Sequence, residues 1–255
     1  MPTRVRSRVF NRLHLSYPPH HSISISPLAQ YGCYDKASDG IFLTTSRGTC
    51  IHFDNRSNRV TFNQDLSAKK INCLSQHPTS THTIAVGGLD RQVKLFDIRK
   101  FGNAGKKLSS KGSKPFATQT FNGSINSCFF SPSGSSLLTT SMADVLSILP
   151  DAHKLKGEVY EEAQLIPHNN QTGRFLSVFM ARWHPTLDVF TVGCKKPQRQ
   201  LEIFGEKKEG SGKFECKSRI VGDYVTTVHS RNAFHPSLNI LAGGSSSGRV
   251  VVAGL

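Results

Sequence analysis

The chain has 255 residues, of which 37% are hydrophobic and 19% are charged, so it can bury a sizeable core and is not wholly disordered. Its 32 basic and 17 acidic side chains give a formal net charge of +15. This excess favours a polyanionic partner such as nucleic acid, with a merely solvated basic surface as the alternative. No run of 18 apolar residues is present, and the basic N-terminus lacks a continuous apolar stretch, so we expect neither a membrane partner nor secretion.

A short motif that ends in proline recurs along the chain. The prolines of its five copies lie 51 to 54 residues apart, at Pro27, Pro78, Pro132, Pro185 and Pro236. Short β-branched runs follow, such as Thr83–Gly88 and residues 93–97, and turns rich in Gly, Asp and Ser join them. About four short strands per period of this length are typical of a propeller blade. The sequence therefore predicts an all-β propeller with about five blades present.

The blades are expected to occupy residues 21–255, after a basic N-terminal segment, residues 1–20, that is poorly ordered or forms a single strand. Two architectures fit five periods. In a closed five-bladed ring, residues 9–17 complete the last blade beside residues 249–252. In the other architecture, the chain is a fragment of a seven-bladed ring whose first two blades are missing.

Metal and catalytic motifs are not found in the sequence. No two of the six cysteines lie within four residues of each other, and the one tight histidine pair has no companion at ligand spacing. We therefore predict reduced core thiols and no metal site. No GxSxG, P-loop or HExxH pattern is present, which predicts a protein that is not an enzyme and takes no cofactor or small-molecule substrate.

Two aromatic–aspartate pairs, Phe53-Asp54 and Phe96-Asp97, end predicted strands in consecutive periods. This pattern resembles the WD repeat, in which a Trp-Asp pair ends the third strand of a blade. The usual Gly-His pair of that repeat is absent here, so the repeats are degenerate. The resemblance implies that each aromatic ring packs between blades and that each aspartate accepts hydrogen bonds from turn amides.

A closer resemblance is carried by the second half of the chain. Residues 165–176 read Leu-Ile-Pro-His-Asn-Asn-Gln-Thr-Gly-Arg-Phe-Leu and lead to a Trp-His-Pro triplet, and residues 196–204 and 232–249 continue the pattern. These segments are similar to the family of WD repeat-containing protein 76 and its fungal damaged-DNA-binding relatives. They are more distantly similar to the WD-repeat subunit of the UV-damaged-DNA-binding complex. The resemblance is absent before Ile23 and begins mid-ring, which favours the seven-bladed fragment.

The resemblance implies a nuclear, seven-bladed propeller that binds duplex DNA, prefers damaged or modified DNA and works in the DNA damage response among chromatin proteins. It also implies a substrate-receptor adaptor of a cullin-RING ubiquitin ligase, because relatives dock on the ligase linker subunit through an aromatic-Asp-x-Arg box. Two such boxes are present, one of Phe53, Asp54 and Arg56 and one of Phe96, Asp97 and Arg99. For each arginine, an ordinary ion pair within the blade is the alternative.

The DNA contact is expected to centre on the loop that begins at His168. In the UV-damage subunit an equivalent loop pushes a tripeptide into the duplex, and the matching positions here are Gly173, Arg174 and Phe175. Gly173 permits close backbone approach, Arg174 can reach a phosphate or a groove edge, and Phe175 can wedge or stack against a base. The supporting phosphate contacts are assigned to Lys69, Lys70, Lys196 and Arg199.

Two alternatives stay open for this assignment. Phe175 packs under its own loop in one of them. In the other, the whole protein is a WD-repeat protein-interaction scaffold without direct DNA contact.

Overall fold

The structure is a computed structural model, and it describes residues 14–17, 21–24, 28–102, 113–159, 163–171, 177–195, 198–223 and 225–254. These residues form short strands and two single-turn 3-10 helices, at Ile98–Lys100 and Ala152–Lys154. Within the described ranges, no helix has the length and apolar character needed to cross a bilayer.

Five largely antiparallel sheets follow one another along the chain, and each is one blade. The strands of the first blade are β3 (Ala29–Asp35), β4 (Gly40–Thr45), β5 (Thr49–Asp54) and β6 (Arg59–Asp65). Those of the second are β7 (Ile71–Gln76), β8 (Thr83–Gly88), β9 (Gln92–Asp97) and β10 (Ala117–Thr120), joined at the edge by β14 (Gly157–Glu158), which runs parallel to β10.

The third blade contains β11 (Ile125–Phe130), β12 (Ser136–Ser141), β13 (Val145–Pro150) and β15 (Gln164–Pro167). The fourth contains β16 (Arg182–Trp183), β17 (Phe190–Cys194), β18 (Gln200–Glu206) and β19 (Phe214–Ile220). The fifth contains β20 (His229–Phe234), β21 (Ile240–Ser245) and β22 (Val250–Gly254). The predicted all-β propeller architecture is confirmed.

In the part of the N-terminal segment that the structure describes, the strand does not join the last blade in the way that the closed five-bladed ring requires. β1 (His14–Tyr17) pairs with β2 (His21–Ser24) in a separate two-stranded sheet. Among the described residues, β22 is the outer strand of a three-stranded sheet and has β21 as its neighbour. Residues 1–13 of the predicted N-terminal segment lie outside the described residues.

The hydrophobic core is divided into clusters that lie between successive blades. One cluster joins Phe42 and Phe62 of the first blade to Leu74, Ile84 and Phe96 of the second. Phe96 is 1% exposed, which confirms the prediction that the third-strand aromatic packs between blades. Burying a side chain of this size contributes about 1.5–3 kcal/mol. Contacts between the side chains of neighbouring blades therefore stabilise the packing of one blade on the next.

The recurrent proline motif has a structural cause in the turn after the first strand of a blade. In three blades a histidine precedes the proline, and its Nδ1 accepts hydrogen bonds from backbone N–H groups of that turn. The pairs are His77 with Ser80 N (2.8 Å), His184 with Leu187 N (3.2 Å) and His235 with Leu238 N (3.0 Å). In the third blade Ser131 Oγ accepts instead from Ser136 N at 3.3 Å. The motif satisfies turn donors that would otherwise lose their partners on folding.

Alternating strand directions place the connections of every blade at two opposite ends. One end carries the connections between the second and third strands of each blade and the connections from one blade to the next, and we call it the upper face. The opposite end is the lower face. Side-chain contacts link the upper loops: Asn170 N donates to Asp144 Oδ1 at 2.8 Å, and the Ser177 and Ser246 hydroxyls lie 3.3 Å apart. Residues of the first strands line a central channel, whose upper mouth is a cavity of about 580 Å³.

Candidate nucleic-acid interface

Every predicted DNA-contact residue that the structure describes lies on the upper face or just beneath it. These residues are Lys69, Lys70, His168 and Arg199. The remaining four, Gly173, Arg174, Phe175 and Lys196, lie outside the described residues. The topology thus brings together groups that are about 130 positions apart in the sequence.

The Lys69–Lys70 pair sits on a turn that neighbouring loops hold firmly. Ser67 Oγ accepts from Lys69 N at 3.1 Å and donates to Asp90 Oδ2 at 2.8 Å. Gly48, at φ +86°, packs so closely that a Cβ atom there would come within 2.0 Å of the Ser67 carbonyl oxygen. Glycine is required at this position both by the backbone conformation and by the close approach. Lys69 is exposed, whereas Lys70 is half-buried and lines the channel mouth.

Three basic side chains, Lys70, Arg182 and Arg231, line the channel mouth. The Arg182 guanidinium lies 4.0 Å from the centre of the Phe129 ring and donates to the Tyr31 hydroxyl at 3.1 Å. No carboxylate is among the described residues that line the cavity. Desolvation inside the channel, and after it the neighbouring Arg182 charge, lowers the pKa of the Arg231 guanidinium. This mouth is therefore a polar, positively charged recess suited to an anion.

Further exposed basic side chains lie in upper-face loops outside this recess, and the described residues offer none of them an ion-pair partner. They are Arg47, Arg91, Arg199 and Arg249. The Arg199 guanidinium donates through Nη1 to the carbonyl oxygen of Thr226, which ties it to the loop from the fourth to the fifth blade. Exposed cationic groups gathered on one face are typical of surfaces that neutralise phosphates.

His168 occupies a different environment from the other predicted contacts, because its side chain is only 3% exposed. Its Nδ1 lies 2.7 Å from Asn170 Oδ1, and burial lowers the pKa of the imidazole. The Asn170 amide donates to the carbonyl oxygens of Ser141 at 2.7 Å and Val145 at 3.1 Å. His168 and Asn170 thus fasten the start of the 168–177 loop to the third blade, and His168 is not positioned to touch DNA itself.

The two aromatic-Asp-x-Arg boxes, which were predicted to dock the linker, lie on the lower face at the ends of β5 and β9. The Arg99 guanidinium forms a bidentate pair with its own Asp97, with Nε–Oδ1 at 2.9 Å and Nη2–Oδ2 at 2.7 Å. Hydrogen bonding from Arg99 lowers the pKa of the Asp97 carboxyl. In the other box, Asp54 accepts from the Arg56 backbone N–H at 2.9 Å, while the Arg56 side chain is exposed. Both aspartates cap their turns as the WD pattern predicts, and Arg99 makes the ion pair that was the alternative.

Sequence reasoning missed Arg182 and Arg231, although the repeat contained a signal. Arg182 stands three positions before Pro185, and Arg231 stands five positions before Pro236. Arg182 belongs to β16 and Arg231 to β20, the first strands of the fourth and fifth blades. Since first strands line the channel of a propeller, their place just before the recurrent proline could have indicated two arginines near the channel.

Comparison with known families identifies the repeat. A model of the WD domain, G-beta repeat family matches residues 49–97, which contain both aromatic–aspartate pairs. The chain is similar in fold to a chain in the crystal structure of the mitotic checkpoint complex, with a TM-score of 0.63 over 94% of this chain and 66% of that chain. At 16% identity this likeness concerns the fold alone. The prediction of WD repeats is confirmed.

Curated relatives are similar over most of the chain. It is 30% identical over 223 residues to DNA damage-binding protein CMR1 of Chaetomium globosum, covering 82% of this chain and 40% of that protein. It is 35% identical over 188 residues to WD repeat-containing protein 76 of Mus musculus, covering 73% of this chain and 28% of that protein. The chain therefore spans less than half the length of these relatives. The predicted resemblance to WD repeat-containing protein 76 and its fungal damaged-DNA-binding relatives is confirmed.

Proposed function

Because the chain is a WD-repeat protein similar to WD repeat-containing protein 76 and to fungal DNA damage-binding proteins, we propose that it binds duplex DNA through its upper face. The preferred DNA is damaged or modified, and the protein acts in the nucleus among chromatin proteins. Two observations support this proposal: the similarity to DNA damage-binding proteins and the positive charge of the recess on the upper face.

The observation that carries the proposal is the basic channel mouth with its surrounding arginines and lysines. Lys70, Arg182 and Arg231 lie inside the recess, and Lys69 and Arg199 lie outside it on the same face. Cationic groups that neutralise DNA phosphates release condensed counterions and supply most of the non-specific affinity. Because these arginine and lysine side chains lie on several blades, they can contact successive phosphates of one DNA backbone.

The 168–177 loop is proposed as the element that probes the DNA. Both of its described ends are tied to the upper face, because Gln171 Nε2 donates to the Met142 carbonyl oxygen at 2.7 Å and Ser177 N donates to Ser246 Oγ at 3.2 Å. Between them stand Gly173, Arg174 and Phe175, which we assign to contact with the backbone, a phosphate or groove edge, and a base, respectively. His168 takes a positioning role beneath the loop, and Lys196 is assigned to a phosphate.

The lower face is proposed as the docking surface for a cullin-RING linker subunit. It carries Arg56 and Arg99 on consecutive blades, at the end of the propeller opposite the proposed DNA surface. The Arg99 side chain is 66% exposed and is held in a fixed direction by Asp97. A guanidinium oriented by one carboxylate keeps N–H donors for an acidic partner. Docking and DNA binding could then occur on the same molecule without competition.

Binding of the chain to intact, UV-treated and single-stranded oligonucleotides over a range of salt concentrations tests the proposal. We expect the logarithm of the affinity for duplex DNA to fall linearly with the logarithm of salt concentration, with a slope of about −0.9 per neutralised phosphate. UV-treated duplex should bind more tightly than intact duplex. Affinity without salt dependence, or no binding at all, would contradict the proposal and favour a scaffold that contacts only proteins.

A further inference from the structure

Three buried side chains with metal-binding atoms meet between the third and fourth blades, beneath the upper face. They are His168, which follows β15, Cys194, which ends β17, and Glu202 in β18. One ligand atom from each lies within 4.8 Å of the other two. The side chains of His168 and Glu202 are 3% and 11% exposed, and Cys194 is 4% exposed.

The hydrogen bonds of Asn170 determine which nitrogen of His168 carries the proton. The Asn170 amide nitrogen donates to two backbone carbonyls, Ser141 and Val145, so its Oδ1 must be the atom that faces His168. An amide oxygen accepts only, and therefore Nδ1 of His168 donates to it at 2.7 Å. In the neutral imidazole the other nitrogen, Nε2, then presents a lone pair. Among the described residues, Nε2 has no hydrogen-bond partner.

That lone pair faces a carboxylate oxygen. Nε2 of His168 and Oε2 of Glu202 are 3.6 Å apart, beyond the range of a hydrogen bond. The other oxygen, Oε1, accepts from Gln200 Nε2 at 2.7 Å and from Arg219 Nε at 3.3 Å. Two electron-rich atoms that converge in a buried site repel each other unless a cation lies between them.

We propose that His168, Cys194 and Glu202 bind a zinc-class transition-metal ion. Nitrogen and oxygen ligands at about 2.0–2.2 Å in a tetrahedral site lie roughly 3.4 Å from each other, close to the separation seen here. On binding, the thiol proton of Cys194 is released to solvent, and the thiolate and the carboxylate together balance the two positive charges of the ion. The fourth coordination position is left for water.

The donor set selects the class of metal. A thiolate with an imidazole and a carboxylate suits zinc or cobalt, whereas calcium and magnesium prefer oxygen ligands alone. Asn170 supports the imidazole, and Gln200 and Arg219 support the carboxylate, as partners of metal ligands commonly do. The ion would join the start of the 168–177 loop to the fourth blade. The inference does not rest on DNA binding, because metal content is measured without DNA.

The test is titration of the chelator-treated full chain with Co²⁺, followed by absorbance, and then displacement of the Co²⁺ by Zn²⁺. We expect one ion per chain, a near-ultraviolet band from thiolate-to-cobalt charge transfer, and loss of that band when Zn²⁺ is added. Wild-type protein that gives no such band, or takes up no Zn²⁺, would overturn the proposal whatever the variants do.

Variants assign the ligands. Cys194→Ser should abolish the charge-transfer band, and Glu202→Gln and His168→Gln should each weaken Co²⁺ binding by at least about tenfold. Cys128→Ser is the matched control, because Cys128 is a buried thiol like Cys194 and lies 3.3 Å from Cys73, a second place where soft metals could bind. It should leave the band unchanged. Loss of the band in Cys128→Ser with retention in Cys194→Ser would place the ion elsewhere and contradict the proposal.

Discussion

Arg182 in the channel mouth and Arg99 on the lower face show two ways in which this propeller presents a guanidinium. Arg99 is paired with its own Asp97 at 2.7 Å, so much of its charge is balanced within the blade. Arg182 has an aromatic ring and a tyrosine hydroxyl as its neighbours instead, and no carboxylate among the described lining residues of its cavity. A guanidinium that is held in place without a counter-charge retains its attraction for an incoming anion. The upper face is therefore the better site for phosphate, although both faces carry basic residues.

The largest effect is expected from Arg182→Ala and Arg231→Ala, tested singly and together. Each removes a charged hydrogen-bonding group from the channel mouth, and such contacts typically contribute about 1.5–3 kcal/mol. DNA affinity, measured by fluorescence anisotropy, should fall by at least roughly tenfold per variant. Arg99→Ala should leave DNA affinity unchanged. Arg182 packs on the Phe129 ring, so Arg182→Ala removes packing as well as charge. Arg231 does not make that contact, so Arg231→Ala should keep the wild-type melting temperature, and its loss of affinity then reports DNA binding alone.

Docking on the ligase linker should depend on the lower face alone. Arg56→His and Arg99→His are each expected to weaken linker binding by about 2 kcal/mol, as is typical of an interface arginine with bidentate partners. Calorimetric titration with the linker subunit measures this effect, and anisotropy measures DNA binding on the same samples. If linker and DNA binding decline together, the arginine has a structural role and the docking assignment is wrong.

Phe175→Ala is expected to cost roughly 1–3 kcal/mol of DNA binding with little change in melting temperature, because the proposal assigns Phe175 to a base rather than to the core. Arg174→Ala should lower the salt slope by about one unit. A Phe175→Ala protein that melts much earlier but binds DNA normally would show that Phe175 packs under its own loop.

The smallest effect concerns the stability contributed by the Asp97–Arg99 pair. Arg99 is largely exposed, so Asp97→Asn should lower the free energy of unfolding by no more than about 1 kcal/mol. The pKa of Asp97 is lowered by hydrogen bonding from Arg99, so this stability is present above the unfolded pKa near 4 and is lost as the pH falls through the lower folded value. Urea unfolding at neutral and acidic pH should show the difference between wild type and variant shrinking in acid. A difference that grows in acid would contradict the assignment.

The fold could be read from the sequence because its repeat is local. β8 begins and ends at the residues expected, Thr83 and Gly88, and the Pro78, Pro185 and Pro236 turns follow their strands at the predicted period. The sequence also predicts that Lys69 and Arg199 lie on the same face. Lys69 is in a loop between two blades and Arg199 is in a loop between a second and a third strand, and both kinds of loop lie at the same end of a propeller.

The less predictable features depend on contacts between blades. Cys194 and Glu202 are separated from His168 by 26 and 34 positions, which matches no metal-ligand spacing, and only the packing of the third blade on the fourth brings them together. The sequence likewise left open whether Arg99 would face its own Asp97, because that depends on the conformation of one short turn. Local periodicity thus predicts strands and faces, while side-chain partners depend on how the blades pack against each other.

Two lysine pairs allow the most direct test of the central claim, that DNA binds the upper face. Lys69 and Lys70 lie on that face, and Lys207 and Lys208 form an adjacent, exposed pair on the lower face. Each double alanine variant removes two positive charges, so any difference between the two variants reports the position of the charges and not the net charge. In salt titrations with UV-treated duplex DNA, Lys69→Ala with Lys70→Ala should reduce the slope by up to about two units, whereas Lys207→Ala with Lys208→Ala should leave it unchanged. Equal reductions for both pairs, or a larger one for the lower pair, would contradict the account.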